Sequence, residues 1–245
     1  AVHSMKHVSV QLPQGIVQAA VLKRASHKDV LVVREQMTDD SETFVESLST
    51  VNSQPSTLSI ATSSIRRKAQ WLNRYPNTVI ENLRGNINTR LQKVAESNWH
   101  GAIFAAAGLE RINVRPENSF DLDWMLPAPA QGAIMVVARD ADMMVREACA
   151  VLNDSDTAIA VKIERDFLSA LMGGCSTPIS ALASMQNGQV VLKGNICSRD
   201  GAQMQELEMT APKEEAIGLG IRAANELLQN STAQQIMTHI RHAKG

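Results

Sequence analysis

Short apolar runs alternate with amphipathic stretches of helical length along most of this chain. Residues 15–23 and 29–33 read as strands, 41–48 as a helix and 58–61 as a short strand. The segment 63–74 reads as a helix closed by Pro76, followed by a strand over 78–83 and a helix over 86–96. A buried strand over 101–106 and a short helix near Leu109 come next. A strand over 133–138, a helix over 141–152 and a long amphipathic helix over 157–171 follow, the last with Ile159, Ile163, Phe167 and Leu171 on one face. This β-then-α rhythm predicts parallel strands joined by crossover helices. Beyond Ile179 the pattern changes. Segments 179–185, 190–196 and 203–209 read as antiparallel strands, with turns at Asn187-Gly188 and Asp200-Gly201. Helices over about 212–229 and 231–243 finish the chain. The expected fold class is α/β with a small C-terminal α+β unit. The Ser- and Thr-rich stretch 39–57 reads as a hinge or a surface loop.

Composition narrows the classes. The 245 residues are 44% apolar and 20% charged, so one to three domains with a sizeable core are expected, and disorder is not. A net charge of −1 and 3% aromatics argue against a nucleic-acid partner. The apolar run around 102–109 is far below the roughly 18–20 residues of a membrane span, so no membrane partner is expected. Cys149, Cys175 and Cys197 are odd in number and form no C-x-x-C, which points to a reducing, cytoplasmic setting. The histidines show no metal-binding spacing, so no metal is expected.

Local charge departs from the total. Between Thr62 and Arg115 stand nine basic residues, seven of them Arg, against three Glu; this stretch is +6 and the rest of the chain −7. Arg is favoured where a planar fork grips carboxylate or phosphate. Thr62-Ser63-Ser64-Ile65-Arg66-Arg67 sits where a strand gives way to a helix, a natural place for an anion. Leu83-Arg84-Gly85-Asn86 sits at the next strand end, with Arg90 one helical turn on, and Ala107-Gly108-Leu109-Glu110-Arg111 at the third. Carboxyl ends of parallel strands converge on a ligand crevice, so a polyanion is the expected ligand. Ser63 could equally be a plain N-cap, and Arg74 and Lys93 fit solvated faces. Phosphate and carboxylate are not separated by this pattern; the absence of Gly-x-x-x-x-Gly-Lys and Gly-x-Gly-x-x-Gly disfavours a nucleotide. Met172-Gly173-Gly174-Cys175-Ser176-Thr177-Pro178 places Cys175 on a glycine turn after the long helix. It reads either as a small residue that fits the turn or as a nucleophilic or modified thiol.

These motifs, together with Ala1-Val2-His3-Ser4-Met5-Lys6 and Leu126-Pro127-Ala128-Pro129-Ala130-Gln131-Gly132-Ala133, stand in the order seen in porphobilinogen deaminase, also called hydroxymethylbilane synthase. The resemblance runs from end to end. It implies a three-domain enzyme, with two periplasmic-binding-protein-like domains hinged around a cleft and a small α+β domain carrying the cysteine. The boundaries are 1–36 for a partial first domain, 37–126 for the Arg-lined second, 127–152 for a return segment to the first, and 153–245 for the third. Four porphobilinogen molecules are joined into hydroxymethylbilane with release of ammonia, by a cytoplasmic monomer, in haem biosynthesis.

A dipyrromethane cofactor on a thioether to Cys175 is implied. Ser4, Lys6, Thr62, Ser64, Arg66, Arg67, Arg84 and Gly85 match cofactor-binding positions, and Arg84, Arg90, Arg111 and Gln131 substrate-binding ones. Lys6 and His7 match catalytic positions. The chain departs from the family in two ways. The family begins several dozen residues upstream of Ala1, so this chain reads as N-terminally incomplete, and strands near 15–33 and 133–138 are expected to lack sheet partners. The family also reads His-Ser-x-Lys-Asp, where the Asp steadies the cation formed as ammonia leaves; here His7 takes that place. The other readings are a non-catalytic anion-binding domain, for which no helix-turn-helix is visible, and a homologue that binds pyrroles without condensing them.

Overall fold

The computed structural model describes residues 1–34, 58–172 and 177–242. The predicted helix over 41–48, the 39–57 stretch and Cys175 lie outside the described residues.

Strands β1 (Val2–Ser4), β2 (Ile16–Val21) and β8 (Ile134–Arg139) form an antiparallel sheet in the order β1-β8-β2. The second sheet holds β3 (Asp29–Val33), β4 (Ser59–Ala61), β5 (Val79–Glu81), β6 (Gly101–Ala105) and β7 (Ser119–Asp121), ordered β5-β4-β6-β3-β7. The expectation that strands within 15–33 and 133–138 lack partners is corrected. β8 is central, with β1 and β2 on either side, and β3 pairs with β6 and β7. Every residue of β3 is buried. Leu31 and Val33 point into one core with Leu58, Ile60, Trp71 and Ile103; Val30 and Val32 point into the other with Leu83, Val94 and Phe104.

Parallel pairing holds for part of this sheet only. β4 runs parallel to β5 and β6, joined through α1 (Ile65–Arg74) and α2 (Ile87–Glu96). β3 runs antiparallel because it enters from the first sheet with no crossover helix between it and β2. A short α3 (Ala106–Arg111) follows β6. The three parallel strands therefore open toward one edge of the sheet, where 62–64, 82–86 and the start of α3 gather.

Helices α4 (Met143–Ala150) and α5 (Ser155–Ala170) lead to a third, antiparallel sheet of β9 (Ile179–Gln186), β10 (Gln189–Cys197) and β11 (Met204–Pro212). The turn at Asn187-Gly188 has φ of 50° and 78°, the left-handed pair that an Asn-Gly hairpin adopts. A continuous helix over 212–229 does not form. β11 keeps its pairing with β10 as far as Pro212, and α6 (Leu219–Leu227) starts only after Gly218. With α7 (Ser231–His242), these helices bury Phe167, Leu171, Leu219, Leu227 and Ile236 against the sheet.

Candidate active site

Each loop at the sheet edge is shaped by its own polar residues. Ser64 caps α1 by accepting the Arg67 N–H, and Thr62 Oγ1 accepts the Ser64 N–H at 3.2 Å. Ser63 is not the cap that its place suggested: its hydroxyl meets Asn82 Oδ1 at 2.6 Å and the Leu83 carbonyl at 2.5 Å, tying the first loop to the second. Gly85 has φ of +119°, and a Cβ there would lie 2.9 Å from the Thr89 methyl, so only glycine fits. Asn86 then caps α2.

Two cavities share a wall at this edge. The first, about 320 Å³, is lined by Lys6, His7, Thr62, Ser64, Arg66, Arg67, Arg90 and Gln131, with Thr177 and Ile179 from the C-terminal unit. The second, about 280 Å³, is lined by Ser4, Lys6, His7, Arg67, Arg90, Arg111 and Gln131. No acidic side chain lines either cavity among the described residues. Arg84 and Gly85 line neither: Arg84 is exposed, one residue beyond Leu83, on a loop open to solvent. Cys175 lies outside the described residues, and the structure says nothing of it.

The charge of the site is organised by a carboxylate that the sequence reading did not single out. Asp29 opens β3 and is fully buried. Arg67 Nε and Nη2 donate to its Oδ1 at 3.0 and 2.7 Å, and Arg66 Nη1 lies 2.8 Å from its Oδ2. Gln131 Nε2 donates to Oδ1 at 2.9 Å. Arg66 further reaches the Leu126 carbonyl, and Arg67 the Ile103 carbonyl. Burial alone would raise the Asp29 pKa, but the charges of Arg66 and Arg67 and the hydrogen bonds of Arg66 and Gln131 hold it at about 2. Most of the reach of Arg66 and Arg67 is thus taken inside the protein. The counter-ion escaped notice because it stands 37 positions before Arg66, outside the basic stretch over which charge was counted.

The remaining cations are held differently. Arg84, Arg90 and Arg111 form no ion pair among the described residues. Arg90 Nε is buried without a hydrogen-bond partner there, an open donor in a cationic wall. Lys6 sits on a three-residue 3₁₀ turn, Met5–His7. Burial, then the charges of Arg67 and Arg66, bring its pKa down to about 8. His7 is exposed, and partial desolvation and the Lys6 charge lower its pKa, so it is neutral near pH 7. Gln131 is held by a turn in which Ala130 and Gly132 have φ of 60° and 84°. Among the described residues no group of His, Cys, Asp and Glu could hold a metal ion, and no helix is long and apolar enough to cross a membrane.

An unpaired guanidinium donor, a low-pKa ammonium and cavity walls without an acidic side chain among the described residues suit a multiply carboxylated ligand. Comparison with known proteins agrees. Residues 1–147 match the family model "Porphobilinogen deaminase, dipyromethane cofactor binding domain", and residues 158–229 match "Porphobilinogen deaminase, C-terminal domain". The first match contains both cavities' cationic residues, and the second contains Cys175. A porphobilinogen deaminase of Brevibacillus brevis is 39% identical over 231 residues, spanning 93% of this chain and 70% of its own. One from Acidithiobacillus ferrooxidans is 36% identical over 245 residues, 99% and 75% of the two chains. One from Syntrophotalea carbinolica is 37% identical over 230 residues, 93% and 69%. By both family models and by these relatives, the chain belongs to the porphobilinogen deaminase family.

Proposed function

We propose that the paired cavities carry out the reaction for which the family is named: head-to-tail joining of porphobilinogen into hydroxymethylbilane, with ammonia released at each addition. The observation that carries this is the cationic double cavity with the open donor of Arg90 and no lining carboxylate among the described residues. Each pyrrole unit carries two carboxylates, so a growing chain is a polyanion that needs several forked cations. The dipyrromethane, on its thioether to Cys175, supplies the primer to which the first substrate adds.

Residue roles follow from chemistry and place. Ser64, Thr62 and Lys6 offer neutral and cationic donors to cofactor carboxylates, and Arg66 and Arg67 shape that wall through Asp29. Arg90 and Arg111 serve the substrate carboxylates, with Arg84 and Gly85 at the loop beside them. Gln131 separates the cavities and keeps its donors on Asp29 and the His27 carbonyl. Lys6, with a pKa of about 8, exchanges a proton readily near neutral pH and is the acid we assign to the departing amine. His7 offers no negative charge to the cation left behind, so turnover is slow.

The finer architecture is also part of this reading. The first two sheets act as periplasmic-binding-protein-like lobes, with domains over 1–36 plus 127–152, 37–126 and 153–245. Support comes from the chain's two passages between the sheets, at 22–28 and 122–133. The protein acts as a cytoplasmic monomer, the state the resemblance implies. The test is direct: the protein supplied with porphobilinogen releases ammonia and forms hydroxymethylbilane, and intact mass shows a dipyrromethane adduct. Neither product nor adduct would end the proposal.

A further inference from the structure

Arg165 lies on α5, in the C-terminal unit, yet its guanidinium is directed at the N-terminal segment. Nη1 donates to the Met5 carbonyl at 3.2 Å and to the Val8 carbonyl at 3.0 Å, and Nη2 donates to the Ser9 carbonyl at 2.5 Å. The side chain is buried, at 9% exposure. These three carbonyls bracket Lys6 and His7 on both sides. Met5 anchors the start of the bracketed segment, its N–H donating to the Ala133 carbonyl at 3.0 Å and its side chain buried, but the regular structure over Lys6 and His7 is one 3₁₀ turn, closed by Val8 N–H to the Met5 carbonyl. So short a helix does not hold itself together. The charges of Arg66, Arg67 and Arg90 repel that of Lys6, and the charge of Asp29 attracts it. A lysine on a free loop would escape such a wall into water.

We propose that Arg165 is a positioning residue: from the C-terminal unit it clamps the Met5–Ser9 backbone and so keeps Lys6 and His7 inside the cleft against the repulsion of the arginine wall. The importance of that seating rests on the reading of Lys6 and His7 as working residues. The clamp itself does not. The same helix ends at Ala170, five positions before Cys175 in the sequence.

The experiment titrates Lys6 by NMR in protein labelled at lysine, the Lys6 signal being the one lost in Lys6→Arg. Cofactor loading is matched by intact mass. Facing Lys6 are His7 on its own turn, Arg66 and Arg67 from α1, Asp29 from β3 and Arg90 from α2. In the wild type it titrates near 8; in Arg165→Met it moves up by at least about one pH unit, toward the ordinary lysine value of 10.5. Arg165→Lys, whose single ammonium reaches fewer carbonyls, gives a smaller move in the same direction. An unchanged Lys6 titration in folded Arg165→Met overturns the clamp. If that variant does not fold, an unchanged titration in Arg165→Lys overturns it equally. Full turnover by Lys6→Ala, by contrast, would defeat the role given to Lys6 while leaving the clamp standing.

Discussion

At the scale of single residues, the arginines divide into two kinds. Arg66 and Arg67 are 5% and 7% exposed and share Asp29, so their removal strands a buried carboxylate. Breaking such a pair costs about 3–5 kcal/mol. Arg67→Leu is therefore expected to lower the unfolding midpoint in denaturant sharply. Arg90→Leu and Arg111→Leu should leave that midpoint near wild type and weaken binding of a carboxylated pyrrole by about 1.5–3 kcal/mol each. Equal stability losses in all three variants would refute the division. His7 belongs to a third kind, a missing charge. One preorganised electrostatic partner is worth about a hundred- to a thousand-fold in rate. We expect His7→Asp to raise kcat by about two orders of magnitude at pH 8, with KM little changed; equal rates would show that another group steadies the cation.

At the scale of elements, the turn before β8 is set by backbone as much as by side chains. Gly132 has φ of +84°, and a Cβ on it would lie 2.6 Å from the Ser26 carbonyl oxygen and 2.7 Å from that of Ala25. Both obstacles are backbone and do not swing away. Gly132→Ala is expected to cost well over about 1 kcal/mol and to loosen Gln131, which the turn aims at Asp29. A melting temperature equal to wild type would show that the 22–28 segment yields. Helix α5 holds the same turn from the other side. Glu164, with no exposure, receives Arg24 through both oxygens at 2.5 and 3.1 Å, together with the Ala130 and Ala183 N–H groups. One carboxylate thus joins the end of β2, the turn and β9, and the position next to it carries Arg165.

For the whole molecule, two buried groups set opposite pH limits. Asp29 has its pKa lowered to about 2, so its contribution is present above the unfolded value near 4 and is lost as pH falls toward 2, a loss of about 2 kcal/mol. Lys6 has its pKa lowered to about 8, so its charge burdens the fold at pH 8 and below, and stability rises as pH climbs from 8 toward 10.5. Urea midpoints taken across both windows check the two signs. Replacing Lys6 by Met should flatten the alkaline rise and leave the acid limit in place. The cofactor assignment is tested on the intact chain: Cys175→Ala should lack both the dipyrromethane mass and the colour with an aldehyde reagent for pyrroles. Cys149→Ala and Cys197→Ala should keep both.

Sequence alone determined what depends on local order. The hairpin at Asn187-Gly188, the starts of α1 after the Thr62–Ser64 run and of α2 near Asn86, and the gathering of Thr62, Ser64, Arg67, Arg90 and Arg111 near one sheet edge were legible, because turns and strand-end loops are fixed by neighbours a few residues away; the cap of α1 was not, since Ser63 was the candidate and Ser64 holds it. Family membership was legible too, since ordered motifs do not need coordinates. Only the tertiary structure decided which cations are open. Arg66 and Arg67 look like ligand-binding forks in the sequence and prove to be held by Asp29, from a strand 38 residues before Arg67. Arg84 reads as a cleft residue by its place after a strand and faces solvent instead. The antiparallel entry of β3 and the pairing of β2 with β8 across more than a hundred residues carry no local signature. The physical reason is the same in each case: ion pairing and strand pairing depend on distance through space, and the chain brings together groups whose separation along it says nothing about that distance.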